Sequence, residues 1–511
     1  MMKHLESLDR LGQQHLSDHY KSLSDDDKKE SLISQLDSWD LPQLMDSFAQ
    51  CTEATSAVMD DSRMTPIDSE HCAKTTSLSS RLLEDYYNRG MEAISRNEVA
   101  VILLAGGQGT RLGVTYPKGM FDIGLPSGKS LFQIQAERIL RLQNLAANVA
   151  PPSVGRPQIC WYIMTSTATD ADTKAFFAEH NNFGLASDQI FFFQQGQLPC
   201  FTFEGKLIID SPGRLATAPD GNGGLYRALN SSGALTDLRS RGVKYVHVYC
   251  VDNVLVRVAD PAFLGFCIHK QADCGNKVVE KVDPHEAVGV TCMVKGVGPQ
   301  VVEYSELSKE LAQLREPEPE GPPMGGDSAA TKIGGAPPLV YRAGNIANHF
   351  FTVDFLERVV KEESALSYHV AKKKIPYLDS DGTRVKPTQP NGIKLEKFVF
   401  DVFAFSREFV VWEVDRCDEF SPLKNCDETG KECALTCRQD LYRLHSSWLR
   451  KAGGQLSSTE ESSSCSDSNC SVPVVEISPL LTYAGEDLED LASGKTFDPP
   501  VCLRHPDEES G

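Results

Sequence analysis

Over residues 1–55, leucines recur at helical spacing among charged positions: Leu5, Leu8 and Leu11, then Leu32, Leu36, Leu41 and Leu44. An apolar residue every three or four positions lines one face of a helix, so this region reads as several amphipathic helices. Asp25, Asp26 and Asp27 stand before Lys28 and Lys29. Acid residues there suit a helix start, where the dipole is positive. A further helical pattern runs over 79–95. The period then changes. Residues 99–104, VAVILL, are apolar without a break, the pattern of a parallel strand buried on both faces. A helical pattern follows over 130–142. Strand patterns at 158–164, 190–194 and 244–251 alternate with a helix at 169–179. Such alternation predicts an α/β fold with a mostly parallel sheet. Ligands of such sheets lie beyond the carboxyl ends of the strands. The loop Gly106–Gly109, Gln195 and Asp252 are therefore expected to face one crevice.

Two stretches break the pattern. Residues 315–338 are rich in Pro, Gly, Ala and Glu, and 453–472 in Ser and Gly. Both read as flexible loops that bury little apolar surface. Residues 396–414 between them are strongly apolar and aromatic, and 474–503 mix short strand-like and turn-like pieces.

The 511 residues allow for roughly two to four domains. With 41% hydrophobic and 24% charged residues the composition is that of a soluble globular protein. No apolar run approaches a membrane span. Residues 1–10 are too polar for a secretory signal, and the final Glu-Glu-Ser-Gly carries no retrieval or lipidation signal. A cytoplasmic protein without membrane attachment is expected. The formal net charge of −20 argues against a nucleic-acid partner, which needs a basic patch. Fifteen cysteines in such a chain are expected to stay thiols. The spacing of Cys426, Cys433 and Cys437, or of Cys465 and Cys470, matches no zinc pattern.

The chemistry concentrates just after the 99–104 strand, in LAGGQGTRLGVTYPKG. Glycines let the backbone approach an anion, and successive N–H groups can then point at its oxygens. Arg111 and Lys118 add positive charge. The dinucleotide fingerprint would need glycine where Leu112 stands. Gly124-Leu-Pro-Ser-Gly128-Lys129-Ser130 is one residue short of a P-loop and contains Pro126. It reads as a hairpin turn. The remaining pattern, L-A-G-G-x-G-T-R-L-G followed by P-K, resembles sugar-nucleotide pyrophosphorylases.

Further motifs in the same order strengthen that resemblance: GNGGLY at 221–226, HVYCVDN at 247–253, KVVEK at 277–281 and VVEYSE at 301–306. GNIANHFF at 344–351, PNGIKLEKFVFD at 390–401, DEFSPLKN at 418–425 and EISPLLTYAGE at 476–486 follow. From about Arg81 to Phe497 the chain resembles the eukaryotic UDP-N-acetylglucosamine, or UDP-N-acetylhexosamine, pyrophosphorylases. The resemblance is weaker over the first fifty residues. It implies a central Rossmann-like nucleotidyltransferase domain with a mixed, mostly parallel sheet, a helical N-terminal arm and a small C-terminal domain. The expected boundaries are 1–95, 96–430 with the insert 315–338, and 431–511 with the loop 453–472.

The implied reaction joins UTP to N-acetylglucosamine 1-phosphate, with N-acetylgalactosamine 1-phosphate as a second sugar, releasing pyrophosphate. The nucleophile is already an anion, so alignment and charge neutralisation take the place of a general base. Arg111, Lys118 and Lys394 are the implied catalytic cations, and Lys424 contacts phosphate from the sugar side. Leu104, Ala105, Gly106, Gly107, Gln195 and Gly221 match the uracil positions. Asn222, Gly289, Glu303, Tyr304 and Asn345 match the sugar site. Phe398 and Phe400, alternating on a strand, either flank the acetamido group or belong to the core. Asp252, closing a buried strand, suits Mg2+ or Mn2+, with a helix cap as its plain alternative. Asp401 is the candidate second ligand. His247, inside an apolar strand, reads as a core histidine. A UDP-sugar or UDP-glucose pyrophosphorylase is the near alternative, and a catalytically weak nucleotide-sugar-binding homologue the distant one. Intact Arg111, Lys118, Asp252, Lys394 and Lys424 argue against the latter. Either a monomer or a homodimer fits.

Overall fold

The computed structural model describes residues 2–54, 61–317, 336–363, 366–457 and 472–508. The chain divides into two units. An arm unit joins Met1–Asp60 to Gln195–Ala228 and Val360–Val402, and a sheet unit holds Asp61–Gln194, Leu229–Val359 and Phe403–Gly511. The predicted loops fall largely outside the described residues, at 318–335 and 458–471.

Among the described residues the main sheet has eleven strands, eight of them along one path: β1 Cys72–Lys74, β2 Val99–Leu104, β3 Cys160–Thr165, β4 Ile190–Gln194, β5 Tyr245–Cys250, β6 Cys274–Glu280, β7 Ala343–Thr352 and β8 Phe409–Val414. They lie in the order β1-β8-β6-β7-β5-β2-β3-β4. Every pairing along this path is parallel except those of β7, which runs antiparallel to both β5 and β6. The carboxyl ends of β2, β3, β4, β5, β6 and β8 therefore share one edge, together with the start of β7. All six residues of β2 are buried, as its unbroken apolar run requires. The strands expected at 99–104, 158–164, 190–194 and 244–251 and the helix expected at 169–179 are present, and the helix after the glycine loop runs over Leu131–Ala147. Ser130 caps that helix, accepting from Gln133 N–H. Lys129 is buried against Glu137 at 2.6 Å, so the Gly-Lys-Ser sequence is a turn and cap.

His247 is fully buried. Its Nδ1 accepts from Ala259 N–H at 2.9 Å and its Nε2 faces Asn348. Burial holds its pKa down at about 4, the state of a neutral core histidine. The C-terminal helix Ala434–Lys451 and the parallel pair Val475–Ile477 and Val501–Leu503 pack Leu441, Leu449, Val475 and Ile477 into one cluster with Ile123, Leu125, Leu131 and Ile134. The last part of the chain thus continues the core of the sheet unit. Cys426, Cys433 and Cys437 are free thiols. Cys465 and Cys470 lie outside the described residues.

In the arm unit, helices α1 Met2–Arg10, α2 Gln14–Ser22, α3 Asp26–Asp37 and α4 Leu41–Ala54 form where the leucine period placed them. Asp25 caps α3 by accepting from Asp27 N–H. Leu8, Leu32, Leu36 and Leu44 are buried with Phe48, Leu198, Phe201, Leu215, Ile393 and Leu395. Each such side chain contributes about 1.5–3 kcal/mol when fully buried, which fixes the arm to the strands at 197–219 and 369–396. Leu11 and Leu41 are half-buried.

Candidate active site

The glycine loop leaves the carboxyl end of β2, and Asp252 follows the carboxyl end of its parallel neighbour β5, with Cys250 opposite Leu104. The loop is tied to itself: Gly109 N–H donates to Tyr116 O at 3.1 Å, and Lys118 N–H to Gly107 O at 3.3 Å. Ser166 Oγ donates to Gly106 O at 2.8 Å from the end of β3. A Cβ at Gly107 would meet nothing within 4 Å, so this stretch of backbone faces open space. Lys118 Nζ donates to Leu423 O at 3.1 Å and lies 3.4 Å from Asp252 Oδ2. Lys424, next in the chain after that carbonyl, pairs with Glu432 at 3.2 Å. Arg111 is exposed and forms no ion pair among the described residues. The edge thus carries one unpaired cation and two cations held by partly exposed carboxylates, groups that an arriving phosphate can draw away.

Asp252 does not cap a helix. Its backbone carbonyl accepts from Leu423 N–H at 2.8 Å, leaving the carboxylate directed at Lys118. Asn253 clamps the turn: its Nδ2 donates to Glu419 O at 2.7 Å and its Oδ1 accepts from Ser421 N–H at 2.9 Å. From below, Gln135 Nε2 donates to Val251 O at 3.2 Å, and Arg138 Nη1 to Val254 O and Val256 O at 2.8 and 3.0 Å. Burial holds the Arg138 pKa down to about 10. The sequence reading missed Asn253, Gln135 and Arg138 as supports. The signal was available in polar residues interrupting the buried face of a helix.

Farther along the same edge, Lys281 follows β6, and Asn345 lies near the start of β7. Asn345 N–H donates to Gly289 O at 2.9 Å. A Cβ on Gly289 would stand 3.1 Å from Glu303 Oε1 and 2.9 Å from Val301 Cγ1, so only glycine fits without displacement. Asn345 Oδ1 accepts from Ala347 N–H at 3.2 Å, with Ala347 at φ 50°. That strained bulge is a conformation a side chain adopts at some cost. Gly289, Glu303 and Asn345 are gathered as expected, and Tyr304 is exposed beside them in the chain.

The other candidates lie in the arm unit. Gly221 has φ 89°, and a Cβ there would come within 2.3 Å of Lys397 O, so the turn demands glycine. Asn222 Oδ1 accepts from Val399 N–H at 3.0 Å, which ties the GNGG turn to the FVFD segment. Gln195 is partly exposed at the other end of this region. Lys394 lies on the strand Gly392–Glu396 and pairs with Glu396 at 2.8 Å, two residues on and hence on the same face. The strand ends at Glu396, which corrects the expectation that Phe398 and Phe400 alternate along it. Asn222 and Asp401 instead hold the segment in a turn. Their rings are still neighbours at 5.1 Å, with Phe400 buried and Phe398 half-buried against His369 at 4.3 Å. Asp401 Oδ2 accepts from Phe398 N–H at 2.7 Å, and Oδ1 lies 3.0 Å from His369 Nε2. Both oxygens are engaged, so the Asp401 carboxylate holds the turn at 398–401. Among the described residues no three His, Cys, Asp or Glu gather into a metal cage.

Comparison with known proteins gives the same direction. The family described as UTP–glucose-1-phosphate uridylyltransferase matches residues 41–317 and 339–461. A Xenopus tropicalis protein named UDP-N-acetylhexosamine pyrophosphorylase-like protein 1 is 48% identical over 479 residues, covering 92% of this chain and 89% of its own. UDP-N-acetylglucosamine pyrophosphorylase of Saccharomyces cerevisiae is 43% identical over 499 residues, covering 95% and 96%. The crystal structure of the uridine diphosphate N-acetylglucosamine pyrophosphorylase from Trypanosoma brucei in complex with inhibitor superposes with a TM-score of 0.80 at 28% identity, covering 98% of each chain. The chain belongs to the UTP–glucose-1-phosphate uridylyltransferase family, among its UDP-N-acetylhexosamine pyrophosphorylases.

Proposed function

We propose that this protein transfers the uridylyl group of UTP to N-acetylglucosamine 1-phosphate, and also to N-acetylgalactosamine 1-phosphate, releasing pyrophosphate. The observation that carries this reading is the Lys118–Asp252 pair at the carboxyl ends of adjacent parallel strands, beside a glycine loop with open backbone. In the reaction an oxygen of the sugar phosphate attacks the α-phosphorus. The bond from that phosphorus to the oxygen bridging the β-phosphorus breaks, and pyrophosphate leaves with the electron pair. No proton has to move. Arg111, free of acidic partners among the described residues, is assigned to the leaving β- and γ-phosphates. Lys118 exchanges Asp252 for a triphosphate oxygen. Lys424 makes the same exchange from Glu432, and Lys394, paired with Glu396 within the arm unit, is assigned by the family resemblance alone.

A divalent cation fits one carboxylate here. Asp252 is 26% exposed at its side chain and its only side-chain partner among the described residues is Lys118. Magnesium commonly binds through one or two carboxylates and completes its shell with phosphates and water. Asp252 would hold Mg2+ or Mn2+, which when bound neutralises phosphate charge. The test is isotopic. Label in the α-phosphate of UTP should appear in the nucleotide sugar, and label in the γ-phosphate in pyrophosphate. Label from the α-phosphate in free UMP alone would make the protein a hydrolase.

A further inference from the structure

Lys281 is 2% exposed, at the end of the KVVEK segment. Its backbone N–H donates to Arg342 O at 2.8 Å, and its Nζ donates to Val288 O at 3.2 Å. A Cβ on Gly344 would stand 3.7 Å from Lys281 Cβ, so the side chain starts beneath the bulge that carries Asn345. Val288 O and Gly289 N–H belong to one peptide group, and a trans peptide points them in opposite directions. A bond from Lys281 to the carbonyl therefore turns Gly289 N–H away from the lysine. Gly289 is buried, yet its N–H donates no hydrogen bond among the described residues. A buried N–H without an acceptor is rare in a folded protein. The charged groups facing the Lys281 ammonium are Glu286, Asp283 and Glu303. Burial draws its pKa below the ordinary lysine range, and those three acids oppose the shift.

We propose that Lys281 is a positioning residue of the sugar subsite: it fixes the Val288–Gly289 peptide so that Gly289 N–H is presented to a polar substituent of the sugar beside Glu303. This rests on the uridylyltransferase reading above. The lysine touches no reacting atom; it acts through the peptide it holds. Loss of the ammonium removes the bond to Val288 O and frees that peptide to rotate, so sugar binding weakens while nucleotide binding does not.

The experiment is steady-state kinetics of the full chain, varying UTP and N-acetylglucosamine 1-phosphate separately, for the wild type, Lys281→Met and Lys281→Gln. The Met variant should raise KM for the sugar phosphate about tenfold or more and leave KM for UTP within about twofold. The Gln variant, which keeps a donor, should fall between. An unchanged sugar-phosphate KM, or equal rises in both constants, would overturn the assignment. Should the Met variant not fold, the Gln variant carries the same comparison. If the wild type turns over the sugar phosphate and the variants keep its KM, only the role of Lys281 falls. A wild type that uses no sugar 1-phosphate removes the uridylyltransferase reading, and this proposal with it.

Discussion

Asp252 and Asp401 both follow apolar runs, yet the molecule uses them in opposite ways. Asp252 is anchored through its backbone: its carbonyl takes Leu423 N–H, and Asn253 takes the neighbouring amide and carbonyl groups. Its carboxylate is left to face a lysine at 3.4 Å. Asp401 is anchored through its carboxylate, with one oxygen on Phe398 N–H and the other at His369. A side chain is available for chemistry when other groups hold its backbone. It is structural when it does the holding. Asn222 and Asn345 combine the two uses: each commits its oxygen to a backbone N–H, of Val399 and of Ala347, and keeps its amide nitrogen for a ligand.

The largest effect expected from this contrast is at the phosphate edge. Lys118→Ala should slow turnover about a hundredfold or more, since one contact to charge developing in the transition state is worth that much. Arg111→Ala should act in the same direction. Thermal unfolding of both should stay near the wild type, because Arg111 has no ion pair among the described residues and Lys118 pairs with a partly exposed carboxylate. Near-normal turnover by a folded Lys118→Ala protein would remove that residue from the mechanism.

Next comes the acid pair itself. Asp252→Asn should lower activity sharply and raise the Mg2+ concentration required, with little loss of stability. Full wild-type activity in excess chelator would contradict the proposed cation. Asp401→Asn should do the reverse, destabilising the fold by about 1–3 kcal/mol while leaving the Mg2+ dependence where it was. Urea unfolding and metal titration on the two variants separate the roles.

A further sharpening comes from Asp220, which begins the turn at Gly221. Its side chain is buried against Gly196 and Gly224, its Oδ1 has no hydrogen-bond partner, and burial raises its pKa to about 6. Arg227 and Lys397 work against that shift and Glu363 adds to it. A carboxyl whose folded pKa lies above its unfolded one costs stability as pH rises through that window, from about 4 to 6, and the cost is full above it. Asp220→Asn should therefore gain on the wild type between pH 4.5 and 7.5 by about 2 kcal/mol in unfolding free energy. A gap that stays constant with pH would show that Asp220 is not the buried acid described.

Much of this was legible in the chain because periodicity and burial follow the same physics. The unbroken run at 99–104 has the pattern of a strand buried on both faces, and the leucine spacing in the first residues that of a helix burying one stripe. The glycine loop, Lys118 and Asp252 were legible because the sheet rule places loops after strands at one edge. What could not be read was the use to which each polar group is put. Asp401 and Asp252 look alike in sequence, and their difference lies in hydrogen bonds to Phe398 and Leu423, residues that a linear reading has no cause to pair. The end of the strand at Glu396, and with it the turn of Phe398 and Phe400, depends on Asn222, more than 170 positions away. Gln135 and Arg138 stand out in sequence as polar residues on a buried helix face, but their partners, Val251, Val254 and Val256, come from another part of the chain and could not be read.

The central claim is that a sugar subsite built on Gly289, Glu303 and Asn345 serves a uridylyltransferase, and pyrophosphate release tests it most directly. With one fixed UTP concentration, kcat/KM is measured for N-acetylglucosamine, N-acetylgalactosamine and glucose 1-phosphates. The two acetylated sugars differ in the orientation of one hydroxyl, which a shifted hydrogen bond or a water accommodates, so both should be used. Glucose 1-phosphate lacks the acetamido group and leaves polar groups unpaired, a cost of about 1–3 kcal/mol, or roughly tenfold to a hundredfold in kcat/KM. Glucose 1-phosphate used as well as the acetylated sugars, or no pyrophosphate from any of the three, would contradict the account.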